Sequence, residues 1–302
     1  MKKIRVGIFG YGNLGKALEK ELKKDERFRL VAVFSRRIDA GTERAENIVN
    51  YKDKIDLLFV CVGSQNDLES VTTTLIQHFN ILECYDNHNR FASYLAQMNK
   101  LAKRSKKVAL CCFGWDPGLF SMMRALFDAL GCEQYTFWGK GLSQGHTQAI
   151  KNIVGVEDAI QFTIPNTKEM NRIKKGAIVV KDKHLHQRLC YVVAAKDKQQ
   201  RIKQEIVNMP DYFAGYKTIV RFVSREKLAK LKTFQHQGEV TTRGDVLNFS
   251  LRLSSNPEFT AKVAVAYAYS IKNFQKEERY GAFTILDVPL SYITTKNKTE
   301  YL

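Results

Sequence analysis

Apolar and polar positions change period within the first 34 residues of the chain. Residues 4–9 form a short apolar run that is typical of a buried strand. After a glycine-rich turn, Leu14, Leu18 and Leu22 recur at the spacing of one helix face. Residues 30–34 are a second apolar run, rich in branched side chains. The order strand, helix, strand predicts a βαβ unit with parallel strands.

Further apolar runs of strand length follow this unit, at residues 57–62, 81–85 and 108–113. Their content of Val, Ile, Leu and Phe is typical of parallel strands that are buried on both faces. Between the last two runs, apolar side chains share one helix face, at Phe91, Leu95, Met98 and Ala102. The five strand candidates predict an α/β fold whose N-terminal domain, residues 1–117, is a Rossmann domain with a doubly wound parallel sheet.

The pattern changes after residue 117. Residues 135–138 are aromatic-rich and residues 190–194 form a mixed strand, and no second glycine motif appears. We expect a second, α+β domain over residues 118–255 that binds the substrate. Asn256 and Pro257 then fit an N-cap and the first helical position. They precede a stripe at helical spacing, which predicts that residues 256–302 return to the first domain by one long helix: Phe259, Val263, Tyr267, Ser270 and Phe274.

Composition agrees with two packed domains. The chain has 302 residues, of which 44% are hydrophobic and 11% aromatic, so a sizeable core can form. No apolar run approaches the roughly 20 residues of a membrane helix, and the first apolar run ends at a glycine too early for a secretory signal. We therefore expect a soluble, cytoplasmic protein without a membrane partner.

Charge and cysteine content suggest two further hypotheses, and neither is favoured. The net charge of +17 would suit a nucleic-acid partner, but the lysines are spread along the whole chain. We expect a solvated basic surface and no nucleic-acid partner. The six cysteines form no C-x-x-C pair and no zinc-like spacing, so we expect reduced thiols and no metal.

The turn after the first strand carries a complete G-x-G-x-x-G motif, formed by Gly10, Gly12 and Gly15. Gly10 permits a tight turn, Gly12 lets the backbone approach a pyrophosphate, and Gly15 lets the helix pack closely on the strand. The helix N-terminus adds partial positive charge. A glycine turn without a ligand is the alternative, but the position between strand and helix favours a dinucleotide site.

The end of the second strand indicates which dinucleotide is bound. NAD-binding domains place an acid there for the ribose 2′-hydroxyl, whereas this chain has Ser35, Arg36 and Arg37. Guanidinium groups bind phosphate by paired, charge-assisted hydrogen bonds. The residues therefore favour NADP over NAD, with two merely exposed arginines as the alternative.

Polar and aromatic residues interrupt the apolar pattern in three places, at residues 85–88, 114–118 and 137–146. Ligands of open α/β sheets lie beyond the carboxyl ends of the strands, where Asp86 and Asp116 are expected. Two carboxylates near a nicotinamide suit a substrate with an ammonium group. Either aspartate alone could equally be an ordinary turn or cap residue.

Together these segments make the chain similar to the meso-diaminopimelate D-dehydrogenase family over nearly its whole length. The shared motifs are GYGNLG, FSRR, YDNH, GWDPG, FWGKGLSQGH, MPDYFAGY and NPEFTA, in that order. The resemblance implies a homodimeric NADP-dependent oxidoreductase of diaminopimelate and lysine biosynthesis, with residues 118–255 also serving dimerisation. Its reaction would be the reversible oxidative deamination of the D-centre of meso-2,6-diaminopimelate. The products would be ammonia, NADPH and L-2-amino-6-oxopimelate, which cyclises to tetrahydrodipicolinate.

The resemblance also implies site residues. The implied cofactor contacts are Gly10, Tyr11, Gly12, Asn13, Leu14, Ser35, Arg36, Arg37, Cys61, Val62, Gly63, Ser64, Cys84, Tyr85, Asp86, Phe113, Gly114, Trp115, Asp116 and Pro117. The implied substrate contacts are Asp86, Asp116, Trp138, Gln144, Gly145, Thr163, Arg188, His236 and Asn256. Asp86 and Asp116 are the candidate catalytic residues, which hold the reacting amino group and manage its proton.

Arg188 is the candidate that binds the distal L-centre, together with Thr163 and His236. A buried arginine needs an anionic partner, which is either the substrate carboxylate or a carboxylate of the protein. Without the resemblance, His236 and Trp138 would pass for ordinary packed side chains, and Asn256 for a helix cap.

Two other functions remain open from the residues. One is an NADP-dependent dehydrogenase with a broader range of D-amino acids, if the distal residues do not bind substrate. The other is a nucleotide sensor or nucleic-acid-binding protein without catalysis, although the chain has no signature of a nucleic-acid module.

Overall fold

The structure, a computed structural model, describes residues 3–37, 41–63, 67–87, 90–178, 182–210, 212–231 and 236–302. Its contacts divide the chain into two units. Unit 1 comprises Met1–Ala125 and Asn256–Leu302, and unit 2 comprises Leu126–Ser255. No helix among the described residues has the length and apolar content that crossing a membrane requires.

The strands are β1 (Ile4–Phe9), β2 (Phe28–Ser35), β3 (Glu43–Arg44), β4 (Leu57–Val60), β5 (Ile81–Glu83), β6 (Val108–Leu110), β7 (Gln134–Trp138), β8 (Gly141–Leu142), β9 (Val156–Pro165), β10 (His186–Ala194), β11 (Lys217–Phe222), β12 (Gln237–Thr242), β13 (Asn248–Arg252) and β14 (Gly281–Phe283). The α-helices are α1 (Asn13–Leu22), α2 (Leu68–Leu75), α3 (Phe91–Arg104), α4 (Leu119–Ala129), α5 (Gln144–Lys151), α6 (Thr167–Lys174), α7 (Gln199–Asn208), α8 (Arg225–Ala229), α9 (Asn256–Ala268) and α10 (Ile271–Lys276).

Unit 1 contains a seven-stranded sheet in the order β14-β6-β5-β4-β1-β2-β3, in which all the pairs are parallel. The chain leaves β1 toward β2 on one side, and β4 lies on the other. The switch point where a doubly wound sheet binds its ligand is therefore between β1 and β4. The predicted Rossmann sheet is confirmed. Two short strands, β3 and β14, were not predicted.

The sheet of unit 1 is buried on both faces. Leu57 and Phe59 of β4 pack into one apolar cluster, and Leu58 and Val60 pack into another. Successive strand residues point to opposite faces, so a continuous apolar run fills two cores at once. This is why the sequence of β4 shows no polar alternation.

The C-terminal part of unit 1 differs from its prediction in one respect. The expected single helix is two helices, α9 and α10, because the chain breaks at Tyr269 and Ser270. The buried Ser270 hydroxyl donates to the Tyr267 carbonyl at 2.7 Å. α9 packs with α1 in the same core, and Lys20 of α1 forms an ion pair with Glu258 of α9 at 3.0 Å.

Unit 2 contains two smaller sheets, in the orders β11-β10-β9-β8 and β13-β12-β7. β10 pairs antiparallel with β9 and parallel with β11, and the three strands of the second sheet are antiparallel. Helices α5 and α7 cover the first sheet through a shared apolar cluster that includes Ile150, Val192 and Ile202. This confirms the predicted α+β character of the second half of the chain.

Candidate active site

The glycine turn lies between β1 and α1, at the switch point of the sheet. Gly10 has φ 100°, and a Cβ there would lie 2.6 Å from the carbonyl oxygen of Cys61. A Cβ on Gly15 would lie 2.2 Å from the carbonyl oxygen of Gly10. Any side chain would therefore collide with backbone at both positions, so the fold itself requires these two glycines.

Gly12 has a different reason to be glycine. A Cβ there would meet nothing within 4 Å, so the protein alone does not exclude a side chain. Gly12 is the N-cap of α1, has no side-chain cap, and α1 carries no acid in its first turn. Open space beside an uncapped, positively polarised helix N-terminus suits a pyrophosphate that approaches the backbone.

The neighbouring cofactor candidates adjoin this turn. The Gly10 N–H donates to the Phe34 carbonyl at the end of β2, at 2.9 Å. On the other side, a Cβ on Gly10 would lie 3.1 Å from Val62. The ends of β2 and β4 therefore both border the glycine turn, as a dinucleotide site requires. Ser64 lies outside the described residues.

Ser35, Arg36 and Arg37 follow the end of β2. The Ser35 hydroxyl accepts the N–H of Arg37 at 3.1 Å. The Arg36 guanidinium forms an ion pair with Asp67 at 2.7 Å, and 71% of its side chain is exposed. Both arginine side chains are exposed beyond the end of β2, where dinucleotide-binding sheets place the ribose. A 2′-phosphate bound there would compete with Asp67 for Arg36.

Asp86 and Asp116 follow neighbouring strands, β5 and β6, beyond their carboxyl ends. The two segments touch, because the Cys84 thiol donates to the Phe113 carbonyl at 3.5 Å. Burial raises the pKa of the Cys112 thiol, and the nearby charges of Glu83, Asp86 and Asp116 raise it further. The Cys112 thiol therefore lies within electrostatic range of the Asp86 and Asp116 carboxylates, which are at the same edge of the sheet.

The GWDPG motif is a tight loop between β6 and α4. Gly118 has φ 138°, and a Cβ there would lie 1.9 Å from the Gly114 carbonyl oxygen. The loop holds Asp116 against α4, where the Asp116 carboxylate accepts from Arg124 Nη2 at 2.6 Å. The Asp116 side chain is only 11% exposed, so this ion pair fixes the direction of a nearly buried carboxylate.

Asn256 is the first residue of α9. Its side-chain oxygen accepts from the Thr260 hydroxyl at 3.2 Å. A Cβ on Gly114 would lie 3.8 Å from Thr260 and 3.9 Å from Cys84. The first turn of α9 therefore adjoins the ends of β5 and β6, and unit 1 brings Asn256, Asp86 and Asp116 to one region.

Arg188 of unit 2 is a buried cation. It lies opposite Thr163 in the β9–β10 pair, and its Nη1 donates to the Thr163 hydroxyl at 2.7 Å. Its guanidinium stacks 4.3 Å from the centre of the Tyr216 ring. Nε of Arg188 is buried without a hydrogen-bond partner, and burial lowers its pKa. Within the described part of the chain, no carboxylate forms an ion pair with it.

Trp138 is joined to this region by a histidine. The Trp138 N–H donates to His186 Nε2 at 2.7 Å, and His186 is two residues from Arg188 on β10. Burial, and then the charge of Arg188, lower the pKa of His186 to about 3. The ring therefore stays neutral and accepts the backbone hydrogen bond.

His236 directly precedes β12 in the same unit. Burial lowers its pKa, and a hydrogen bond to the backbone of Leu142 opposes that effect. Leu142 pairs with Phe162, the residue before Thr163. His236 therefore lies near Thr163, the residue that accepts a hydrogen bond from Arg188.

Gln144 and Gly145 form the first turn of α5. This helix is attached to β9 because the Gln161 N–H donates to the Thr147 hydroxyl at 3.0 Å. The next residue, His146, bonds the Ser143 hydroxyl at 2.7 Å through Nδ1, while its Nε2 is buried without a partner. Burial and the charge of Arg188 lower the pKa of His146 to about 3.

Four side chains at these sites were not among the sequence candidates: Arg124, Tyr216, His186 and His146. Arg124 pairs with Asp116 across a loop and a helix turn, and Tyr216 reaches Arg188 from a neighbouring strand region. No local motif marks either contact. His186 and His146 carried a weak signal, since each is a histidine within three residues of a predicted site residue.

Comparison with known proteins agrees with this geometry. Residues 114–256 match the family model "Diaminopimelic acid dehydrogenase C-terminal domain". The chain is 39% identical to the meso-diaminopimelate D-dehydrogenase of Acetivibrio thermocellus, over 99% of this chain and 97% of that protein.

Two solved structures are similar over 99% of this chain and 98% of their own. The Corynebacterium glutamicum DAP dehydrogenase in complex with DAP has a TM-score of 0.91 at 35% identity. An engineered D-amino acid dehydrogenase bound to NADP+ has a TM-score of 0.85 at 34% identity.

Proposed function

This chain belongs to the meso-diaminopimelate D-dehydrogenase family, and on that premise we propose a role for each site described above. The protein is an oxidoreductase that uses NADP(H). It catalyses the reversible oxidative deamination of the D-centre of meso-2,6-diaminopimelate to L-2-amino-6-oxopimelate and ammonia, a reaction of diaminopimelate and lysine biosynthesis.

The cofactor is held by the glycine turn and by the residues that border it. NADP supplies the hydride acceptor when it is bound. The open face of Gly12 and the N-terminus of α1 take the pyrophosphate, and Ser35, Arg36 and Arg37 take the 2′-phosphate. We assign the remaining cofactor contacts to Cys61 to Gly63, Cys84 to Asp86 and Phe113 to Pro117, and to Ser64, which lies outside the described residues.

Asp86 and Asp116 hold the amino group of the D-centre, and Asn256 stands beside them. Asp116, whose direction is held by its ion pair with Arg124, binds the ammonium group, and the exposed Asp86 takes the proton that the amine must lose before it becomes an iminium. Water then adds to the iminium carbon, and ammonia leaves. No covalent bond to the enzyme is needed.

Arg188 binds the carboxylate of the distal L-centre, and Thr163, His236, Trp138, Gln144 and Gly145 surround that end. The observation that carries this assignment is a buried guanidinium with an unpaired Nε and no carboxylate partner among the described residues. A buried cation without an anion is costly, so an anionic ligand stabilises it. A substrate without the distal carboxylate leaves the charge unpaired.

We propose a cytoplasmic homodimer in which unit 2 supplies the dimer contact. A partner subunit on unit 2 would cover exposed apolar side chains there and remove them from water: Leu130 (61%), Val154 (81%), Ile178 (61%) and Val246 (74%). Sedimentation equilibrium should give twice the 34.6 kDa mass of the chain. A monomer at micromolar concentration would contradict this part of the proposal.

The roles of the two aspartates can be tested by Asp86→Asn and Asp116→Asn, with Asp128→Asn on α4 as the control. We expect each site variant to lower kcat at least about 100-fold, the usual contribution of a positioned acid or base. The control should stay within about 3-fold of the native rate. Full activity of both site variants would remove the assignment.

A further inference from the structure

Glu83 is a buried acid that the proposed reaction does not use. It is the last residue of β5, and its side chain is fully buried. Charged side chains are almost never fully buried unless they are paired, so the contacts of this carboxylate need an explanation.

The carboxylate of Glu83 accepts two backbone hydrogen bonds from different segments. Oε2 accepts the N–H of Tyr85, and Oε1 accepts the N–H of Cys112 at 3.2 Å. Tyr85 directly precedes Asp86 in the segment after β5. Cys112 precedes Asp116 in the segment after β6. One side chain therefore bonds the main chain of both segments that carry the aspartates.

The chain needs this acceptor because it leaves the sheet at Cys112. The N–H of Cys111 still bonds β14, at the Phe283 carbonyl (2.8 Å), and the N–H of Phe113 bonds the Glu83 carbonyl (3.0 Å). Between them, Cys112 has φ 66°, in the left-handed region. Its N–H then finds its acceptor in the side chain of Glu83.

We propose that Glu83 is a positioning residue for the dehydrogenase reaction, which sets the spacing of Asp86 and Asp116 by joining the backbone of their two segments. This inference rests on the roles proposed for the aspartates. Glu83 is fully buried, so the role that we assign to it is indirect. A displacement of a reacting group by about 1 Å can lower the rate about 100-fold. The two hydrogen bonds that Glu83 accepts, which join the segments of Asp86 and Asp116, therefore affect the rate.

The surroundings of Glu83 add a measurable signature. Burial raises its pKa to about 7, and hydrogen bonds from the Tyr85 and Cys112 backbones and from Cys111 and Tyr94 oppose that rise. The pKa values of Tyr94 and Cys111 are raised by burial, so neither becomes charged near neutral pH. The ionised carboxylate is the stronger hydrogen-bond acceptor, so its bonds to the Tyr85 and Cys112 N–H groups strengthen as pH rises.

Asn80 provides a matched control at the opposite ends of the same two strands. Its side-chain oxygen accepts the Val108 N–H at 2.9 Å, and its amide donates to the Asp56 carbonyl at 2.9 Å. Asn80 is 8% exposed. It therefore braces β5 and β6 as Glu83 does, but it does so before the strands and away from both aspartates.

The test compares Glu83→Gln with Asn80→Ala in the full chain, at saturating NADP and at a temperature where both are folded. The glutamine can accept only one of the two N–H groups. We expect kcat/KM for meso-diaminopimelate to fall about 10-fold to 100-fold in Glu83→Gln and to stay within about 3-fold in Asn80→Ala. Glu83→Asp, which keeps the charge, should recover part of the loss.

The pH profile separates positioning from general damage. The ratio of native to Glu83→Gln kcat/KM should grow as pH rises from 6 to 8, whereas the ratio for Asn80→Ala should stay constant. Equal losses in the two variants, or a ratio that does not change with pH, would overturn the inference. Asp86→Asn and Asp116→Asn in the same assay test the aspartate roles, so a failure of the positioning role is distinguishable from a failure of the proposed function.

Discussion

The glycine turn of unit 1 and the Arg188 cluster of unit 2 are both proposed to bind anions, but they are built differently. Unit 1 offers open backbone at Gly12 and a guanidinium, Arg36, whose side chain is 71% exposed. Unit 2 offers a buried guanidinium, held by the Thr163 hydroxyl and the Tyr216 ring.

This difference in burial leads us to expect that the unit 1 site contributes mainly to affinity and the unit 2 site mainly to specificity. An exposed cation loses little when its anion is absent, because water and salt replace the partner. Arg188 has no carboxylate partner among the described residues, so in the proposed site a ligand without a carboxylate leaves a buried cation without an anion and is penalised. We therefore expect unit 1 to tolerate variation in its contacts and unit 2 to discriminate sharply between substrates.

The largest effect is expected from Arg188→Met. Rejection by unpaired buried polar groups reaches about 10⁴-fold, so kcat/KM for meso-diaminopimelate should fall about 10³-fold to 10⁴-fold. Activity on small D-amino acids should be spared or improved, since the buried charge no longer penalises them. Initial rates of NADPH formation measure both.

Arg221→Met is the control for that substitution. Arg221 also lies over a tyrosine, with its guanidinium 5.9 Å from the centre of the Tyr191 ring, but it is exposed on β11. Its loss should leave both activities unchanged. Equal losses on meso-diaminopimelate and D-alanine in Arg188→Met would show that Arg188 does not recognise the distal group.

The second-largest effects are expected at two glycines of the G-x-G-x-x-G motif, where the same substitution should have different consequences. Gly12→Ala should lower the melting temperature only slightly, as expected for alanine at an N-cap, but should weaken NADPH binding about 10-fold or more, because its methyl group enters the space assigned to the pyrophosphate. Gly15→Ala should lower the melting temperature itself, since its Cβ meets backbone at 2.2 Å. Fluorescence titration and thermal unfolding distinguish them. Native NADPH affinity in Gly12→Ala would refute the cofactor assignment.

The buried titratable groups of the two units give stability slopes of opposite sign. The pKa of His186 is lowered from 6.5 to about 3, so its contribution to stability is present above pH 6.5 and is lost as pH falls toward 3. The pKa of Glu83 is raised from 4.5 to about 7, so its contribution is present below pH 4.5 and is lost as pH rises toward 7.

Denaturant unfolding between pH 4.5 and 6.5 measures these slopes, each of which is at most about 1.4 kcal/mol per pH unit for one group. Relative to the native chain, His186→Gln should gain stability on acidification, and Glu83→Gln should gain stability as pH rises. Parallel curves for all three proteins would contradict the burial argument.

The smallest effect is expected from Asp67→Asn. It frees Arg36 from its ion pair, so NADP should bind more tightly, by about 2-fold to 5-fold, in keeping with the modest worth of an exposed pair. NAD affinity should not change, because NAD has no 2′-phosphate. An equal gain for both cofactors would remove Arg36 from the 2′-phosphate site.

Local sequence was sufficient to predict the Rossmann sheet. Each of β1, β2 and β4 is a short apolar run, and the glycine motif fixes the turn between β1 and α1. β14 escaped prediction because its three residues, Gly281–Phe283, become a strand only by pairing with β6. The break between α9 and α10 was also missed, because the apolar stripe continues through it.

Contacts between distant residues limited the prediction of the site. The sequence indicated that Arg188 needs an anionic partner, but Tyr216 stacks on it through the fold and not through a motif. Arg124 and Glu83 bind site segments across a loop and across two strands, respectively. Such partners are set by sheet register and loop geometry, which local patterns do not encode.

The most direct test of the roles proposed for the two units is the initial rate of NADPH formation by the native protein. It compares meso-, LL- and DD-diaminopimelate with D-alanine, each with NADP and then with NAD. Activity confined to the meso isomer and NADP is the predicted result if, as proposed, Ser35 to Arg37 select the cofactor and Arg188 selects the distal centre. Comparable turnover of D-alanine would contradict the account.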